Sequence, residues 1–416
     1  MAVDLDRRTR SLAEVTPLTL DGLRHDVLPH LIARNGPLVA TAMTRLGVPP
    51  LSVEVDGDAL TLVVENATLA IRDGAAAGAL HVVFDEAQLT QWGHLQRGLN
   101  GMAVFGELNR LVGTDDDVSA WDALWLALLE GWPVIDDDLQ FLDRRGDPLD
   151  LGQSFTRDDD PAEIAHFLRE AGYLHLRGWL EPADMAAIAD EIDRAVPSYT
   201  EDDGRSWWAE LEDGTRRCVR LQQFLPHSPT TARALESDRW EQLRTTLAAA
   251  DDLVQARPGE HVVEALVKPP GVVRGISDVN FHRDCHIGGH PYNCSGVDIG
   301  IAVTGSDETT GRLQVVAGSH RVAIPVHIAL SDPYLPVVSV WTEPGDLTVH
   351  LSCTLHESTP PVTRARKVMY TPFKLAPRTE DAESASHDPV ARGRIGAIIA
   401  GDRAPSSQGA WADRSV

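Results

Sequence analysis

Asn280-Phe281-His282-Arg283-Asp284 and, 72 residues after Asp284, Leu355-His356-Glu357-Ser358 stand among short apolar runs separated by Gly and Pro. The runs are His261 to Val267, Val297 to Val303, Leu313 to Val316, Val337 to Trp341, Leu347 to Leu355 and Val368 to Phe373. Runs of this length with no long helical pattern between them predict a β-sandwich or jelly roll. On a strand, residues i and i+2 share a face, so His282 and Asp284 are expected to point the same way. A jelly roll can return His356 beside them. Two imidazoles and one carboxylate leave three coordination positions open, an arrangement suited to Fe(II) and oxygen chemistry. The bland alternative is a surface histidine beside a turn carboxylate, because His-x-Asp by spacing alone is common.

Working outward, Asp160 as N-cap with Pro161 at the first helical position predicts a helix start. Strand and turn are expected through Gly172-Tyr-Leu-His-Leu-Arg-Gly-Trp-Leu, and a second helix from Pro182 through Val196. The polar stretch from Arg144 to Asp160 separates this part from residues 1–150, which read as an α/β unit. Its helix from Leu20 to Leu46 is expected to break near Gly36-Pro37. Strands follow at Leu51, Ala59, Thr68 and Leu80, with a hairpin at Asp56-Gly57-Asp58. Helices are expected over Glu86 to Gln96 and Ser119 to Leu129. The order resembles a sterol-carrier-like module with an apolar cavity; a plain structural domain is the alternative. Residues 379–416 read as a C-terminal tail, with periodicity only in Ile395-Gly-Ala-Ile-Ile-Ala.

The motif blocks, taken in order, resemble the phytanoyl-CoA hydroxylase-like branch of the Fe(II)/2-oxoglutarate-dependent oxygenases. They are Gly172 to Leu180, Leu266-Val-Lys-Pro-Pro-Gly, Phe281-His-Arg-Asp, Thr310-Gly-Arg-Leu-Gln-Val-Val-Ala-Gly-Ser-His-Arg, Glu343-Pro-Gly-Asp-Leu, His356-Glu-Ser and Ala365-Arg-Lys-Val. The resemblance implies an α+β chain whose double-stranded β-helix (jelly-roll, cupin-like) core with flanking helices spans 160–378, beside the smaller N-terminal α/β domain of 1–150. It implies that His282, Asp284 and His356 hold Fe(II), and that 2-oxoglutarate and O2 are cosubstrates. Arg366 would grip the distal carboxylate of 2-oxoglutarate, with Arg364 as its rival on the same strand face and Lys268 as a further contact. Decarboxylation to succinate would accompany hydroxylation, or a related desaturation or ring-forming oxidation, rather than halogenation, because halogenases of this type lack the carboxylate that Asp284 supplies. The substrate would be a small molecule of secondary-metabolite or acyl type, hydrophobic or carrier-linked. Two alternatives remain at this level: a cupin-like metalloenzyme that does not use 2-oxoglutarate, and a non-catalytic ligand-binding protein.

Other residues have structural readings first. His350 alternates in phase with His356, but a hydrogen-bonded core histidine is the expectation. Gly318-Ser319-His320 reads as a turn, Trp207, Trp208 and Trp341 as packing aromatics, and His286 and His290 as pocket-mouth residues with a minor claim on substrate.

The 416 residues carry 62 acidic and 37 basic side chains, a net charge of -25. Nearly all of that lies in residues 1–265, at -24; residues 266–378 balance at +1 and 379–416 at -2. Such acidity opposes binding to nucleic acid and to anionic membranes, while the balanced segment admits an anionic cosubstrate. No apolar leader or membrane-length stretch is present, so a cytoplasmic protein is expected. The four cysteines form no CxxC pair and are expected to be reduced thiols.

Overall fold

The computed structural model describes residues 3–6, 12–104, 106–251, 263–275, 277–287, 296–331 and 335–374. His290, Cys294, the start of the run at His261 and the segment 379–416 lie outside the described residues, as does the side chain of His286.

The N-terminal part is a mixed sheet with helices. Its strands are β1 (Leu51–Val55), β2 (Asp58–Glu65), β3 (Thr68–Asp73), β4 (Leu80–Val83) and β5 (Asn109–Val112). They lie in the order β3-β2-β1-β4-β5, with β1 and β4 parallel. The β1–β2 hairpin turns on Asp56 and Gly57, both at positive φ, which is the tight two-residue turn that an Asp-Gly pair favours. The expected break at Gly36-Pro37 does not occur: one helix runs from Leu28 to Leu46 with Pro37 inside it. Gly36 packs closely on Leu69 of β3, and Val39, Ala40 and Met43 are buried along the same helix, so packing outweighs the loss of one backbone hydrogen bond. The irregular turn lies earlier, as a π-helical stretch over Leu23–Val27. The helix Asp115–Glu130 starts at a Thr114 capping box and is almost wholly buried, with Trp125 stacked on Trp92 at 3.8 Å.

The C-terminal part contains two sheets. The larger holds β6 (Tyr173–Leu176), β7 (Ser206–Leu211), β8 (Arg216–Leu221), β9 (Glu264–Lys268), β10 (Val272–Arg274), β11 (Gly296–Ala302), β14 (Leu347–Leu351) and β16 (Arg366–Lys374). Their order is β10-β7-β8-β9-β16-β11-β14-β6, antiparallel throughout. The smaller has the order β13-β12-β15, from β12 (Leu313–Val316), β13 (Val337–Val340) and β15 (His356–Ser358). Alternation supplies the shared core: Val297, Ile299 and Ile301 of β11 and Leu313 and Val315 of β12 are buried in one cluster. The chain is thus α+β with chiefly antiparallel sheets. Asp160 accepts from the Ala162 N–H at 2.9 Å and caps the helix Pro161–Ala171, which ends on Gly172 at φ 84°. The helix from Pro182 ends at Ala195 in a 3-10 turn over Val196–Ser198.

The polar stretch before Asp160 is no free linker. Leu149 and Leu151 pack on the C-terminal core, and Phe155 bridges Leu176. In the other direction, Ala323 packs into the N-terminal core and donates its N–H to the Pro133 carbonyl at 2.7 Å. Among the described residues, no helix is long and apolar enough to cross a membrane.

Candidate metal and cosubstrate site

Two corrections explain how the histidines meet. The apolar run expected from Leu347 to Leu355 ends at Leu351, and a turn closed by Thr354 N–H to the Leu351 carbonyl carries the chain to the other sheet. His356 therefore opens β15 instead of ending β14. There it pairs with His282, each N–H donating to the other's carbonyl at 2.9 and 3.0 Å. Asp284 is not on a strand with His282; it is the first residue of the short helix Asp284–Ile287. Backbone turning, not strand alternation, aims its carboxylate at the imidazoles.

The resulting geometry has a definite polarity. Nδ1 of His282 lies 2.8 Å from the Asn280 carbonyl, and Nδ1 of His356 lies 2.9 Å from the Thr354 carbonyl. A carbonyl only accepts, so each Nδ1 carries a proton, and in the neutral ring Nε2 presents a lone pair. Nε2 of His282 is 3.3 Å from Asp284 Oδ1, and Nε2 of His356 is 3.7 Å from Asp284 Oδ2. One ligand atom from each of the three residues falls within 4.8 Å of the others. Burial and the neighbouring imidazoles push the His356 pKa well below its usual value. Burial works against an ionised Asp284, but the imidazoles of His356, His282 and His350 outweigh it and hold the carboxyl well below its usual range. Two imidazole nitrogens and one carboxylate oxygen that face one another make a nitrogen, nitrogen, carboxylate set, which suits Fe(II).

The residue between the two motif positions does structural work that the sequence did not reveal. Arg283 is fully buried and donates to the carbonyls of Cys353 (3.0 Å), Ile324 (2.9 Å) and Ser319 (3.2 Å). It ties the His282–Asp284 segment to the turn before His356. Ser319 also accepts from Leu355 N–H at 2.8 Å, in keeping with a structural Gly318-Ser319-His320 turn.

The cationic half lies where β9 and β16 pair, with Lys268 directly opposite Arg366. Both are buried. Arg366 donates to Ser358 Oγ at 2.6 Å, and Lys268 Nζ donates to the same oxygen at 2.9 Å, to the Ser277 carbonyl at 2.7 Å and to Asp278 at 3.2 Å. Burial lowers the Lys268 pKa to about 8, although Asp278 acts in the opposite sense. Burial lowers that of Arg366 too. Among the described residues, Arg366 Nε has no hydrogen-bond partner. Arg366 also lines a small cavity between the two sheets with Leu313, Val340, Thr348 and Tyr370. Arg364 lies before β16, not on its face; it is exposed, paired with Asp307, and donates to Thr309 at 2.9 Å.

Ser358 and Asp278 were not read as site residues. The signal for Ser358 was available, since it stands two positions after His356 on one strand; Asp278 has none without the fold. His350 is buried and hydrogen-bonded, in keeping with the core reading, and its partner is Asp284, with Nε2 3.2 Å from Oδ2. Trp207 packs under the Arg220 guanidinium at 4.2 Å, and Trp341, partly exposed, under that of Arg312 at 4.6 Å. Cys218, Cys285 and Cys353 are buried and stand in no disulfide among the described residues.

Residues 168–369 match the family model of phytanoyl-CoA dioxygenase (PhyH). No curated protein matches the chain. Among solved structures, AviO1 from Streptomyces viridochromogenes Tue57 is 21% identical, with 54% of this chain and 98% of that one covered and a TM-score of 0.42. SnoN, a non-heme alpha ketoglutarate dependent epimerase from nogalamycin biosynthesis, is 21% identical over 52% and 82%, with a TM-score of 0.39. EctD from S. alaskensis, solved with 2-oxoglutarate and 5-hydroxyectoine, is 19% identical over 58% and 86%, with a TM-score of 0.42.

Proposed function

We propose, from the match of residues 168–369 to the phytanoyl-CoA dioxygenase family model, that this chain is an Fe(II)/2-oxoglutarate-dependent oxygenase that hydroxylates a small molecule, with His282, Asp284 and His356 as the iron ligands. The jelly roll is the framework of this reading, with β15 of the small sheet and β14 and β16 of the large one facing the centre. The observation that carries it is the convergence of two imidazole nitrogens and one carboxylate oxygen within 4.8 Å, with each Nδ1 turned to a backbone carbonyl. Bound there, iron with 2-oxoglutarate and O2 supplies an oxidant able to take hydrogen from an unactivated carbon, at the expense of decarboxylation to succinate.

The chain's own residues have definite tasks. Arg366 presents a planar guanidinium to the distal carboxylate of 2-oxoglutarate, and its unpartnered Nε is available for that pairing. Lys268 holds Ser358 and adds positive charge from behind. Burial of both cations excludes water and strengthens their attraction for an anion. Asp284, by occupying a ligand position, favours hydroxylation over halogenation. The half-exposed His282–Asp284 side is the route of substrate entry. The N-terminal unit borders that side, because its helix Leu99–Val104 packs on the helix Asp284–Ile287, and this placement suits a hydrophobic or carrier-linked substrate.

The test is turnover of 2-oxoglutarate to succinate by the full chain with Fe(II) and O2, with and without a panel of hydrophobic and carrier-linked small molecules. Succinate that His282→Ala and Asp284→Ala abolish is the expected result. No succinate under any condition, with the iron content of His282→Ala equal to that of the wild type, overturns the reading.

A further inference from the structure

The proposed centre contains a fourth group, the His350 imidazole. It is 1% exposed and lies on β14 directly opposite Asp298 of β11. Its ring centre is 4.0 Å from that of His356, tilted by 44°. Nε2 of His350 reaches Asp284 Oδ2 at 3.2 Å, while the other oxygen, Oδ1, faces His282 Nε2 at 3.3 Å. Asp298 is itself held, accepting from Ser352 Oγ at 2.7 Å. The same residues form a second group of potential donors, Asp284, Asp298 and His350, within 4.8 Å.

A carboxylate free to rotate can chelate a cation with both oxygens and take a further coordination position. One whose second oxygen is engaged by an N–H cannot do so without breaking that hydrogen bond. Burial of the His350 ring makes this bond costly to break, since its N–H could not turn to water instead. We infer that His350 is the positioning residue of the metal centre: its Nε2–H holds Asp284 Oδ2 and leaves Oδ1 as the single ligand oxygen. The inference rests on the proposed metal site, and it gives a buried histidine on the opposite sheet a role in setting how many positions remain open. Outer partners of this kind are worth about 10–100-fold in metal affinity.

Calorimetric titration of Co(II) into the full-length apoprotein tests it, using wild type, His350→Phe, His350→Gln and His282→Ala. His350→Phe is expected to weaken Co(II) binding by about 10–100-fold. His350→Gln, whose amide N–H can occupy the place of Nε2–H, is expected to restore affinity close to wild type. If the Phe variant does not fold, His350→Ala carries the same expectation as a smaller truncation. Wild-type affinity in the truncated variant overturns the inference and returns His350 to the core. A Gln variant as weak as the truncation overturns it too, and identifies the imidazole as an ion ligand together with Asp284 and Asp298. Equal binding by wild type and His282→Ala is a different failure: it removes the metal-site reading, and this inference falls with it.

Discussion

Arg283 shows how a single side chain can hold two others in register. Its neighbours His282 and Asp284 were legible because the motif is contiguous and chemically distinctive. Its own role was not, since an Arg beside a histidine reads as surface charge until three carbonyls from distant segments close around it. The same holds for His350, whose in-phase position was visible but whose contact with Asp284 depends on the short helix that starts there. Arg283→Met should strand three buried carbonyls and cost at least about 3 kcal/mol, each unpaired group contributing about 1–3. Urea unfolding measures this directly, and a loss under about 1 kcal/mol would mean that water takes over those carbonyls.

Among the elements, short apolar strands were easy to find and their partners were not. The runs at Val297, Leu313, Val337 and Val368 match strands to within a few residues. By contrast β7 (Ser-Trp-Trp-Ala-Glu-Leu) and β8 (Arg-Arg-Cys-Val-Arg-Leu) escaped, because a register shift between Trp207 and Trp208 breaks the alternation of the first and three arginines mask that of the second. The break expected at Pro37 failed for the complementary reason: a local propensity yielded to tertiary packing. Gly172 lies at a junction where local and tertiary demands agree. It caps the helix Pro161–Ala171 at φ 84°, and a Cβ there would sit 2.3 Å from His320 Nδ1 and 2.6 Å from Thr354 Oγ1. Gly172→Ala should therefore destabilise the protein by about 1–3 kcal/mol from backbone strain, with overpacking added. It should also disturb the turn leading into His356, so a fall in melting temperature accompanied by weaker metal binding is expected. A stability change confined to a few tenths of a kcal/mol would show that His320 can move aside.

At the level of the whole molecule, the charge segregation read from the sequence acquires a location. The acidic N-terminal part is joined to the C-terminal part at Ala323 and where the helix Leu99–Val104 meets the helix Asp284–Ile287. Asp122, buried in the helix Asp115–Glu130, accepts from the N–H groups of Leu99 (2.6 Å) and Asn100 (2.9 Å) and so holds the start of the first of these helices. Burial raises its pKa from 3.8 to about 7. A carboxyl raised in the folded state binds more protons there than when unfolded. The stability it contributes is fully present below pH 3.8 and is lost as the pH rises through about 7. Thermal melts should fall between pH 5 and 8 in the wild type and fall less in Asp122→Asn. Identical slopes would show that Asp122 titrates at an ordinary carboxylate pKa.

The central claim is that two imidazoles, one carboxylate and a buried Arg-Lys pair form one site for a metal and a 2-oxo acid. Anaerobic titration of 2-oxoglutarate into the Fe(II)-loaded protein, followed by visible absorption, tests it most directly. The account predicts a weak charge-transfer band that saturates with 2-oxoglutarate, is absent in His282→Ala, needs more 2-oxoglutarate in Arg366→Ala and is unchanged in Arg364→Ala. A wild-type protein that binds iron yet gives no such band, or a band that His282→Ala retains, would contradict it.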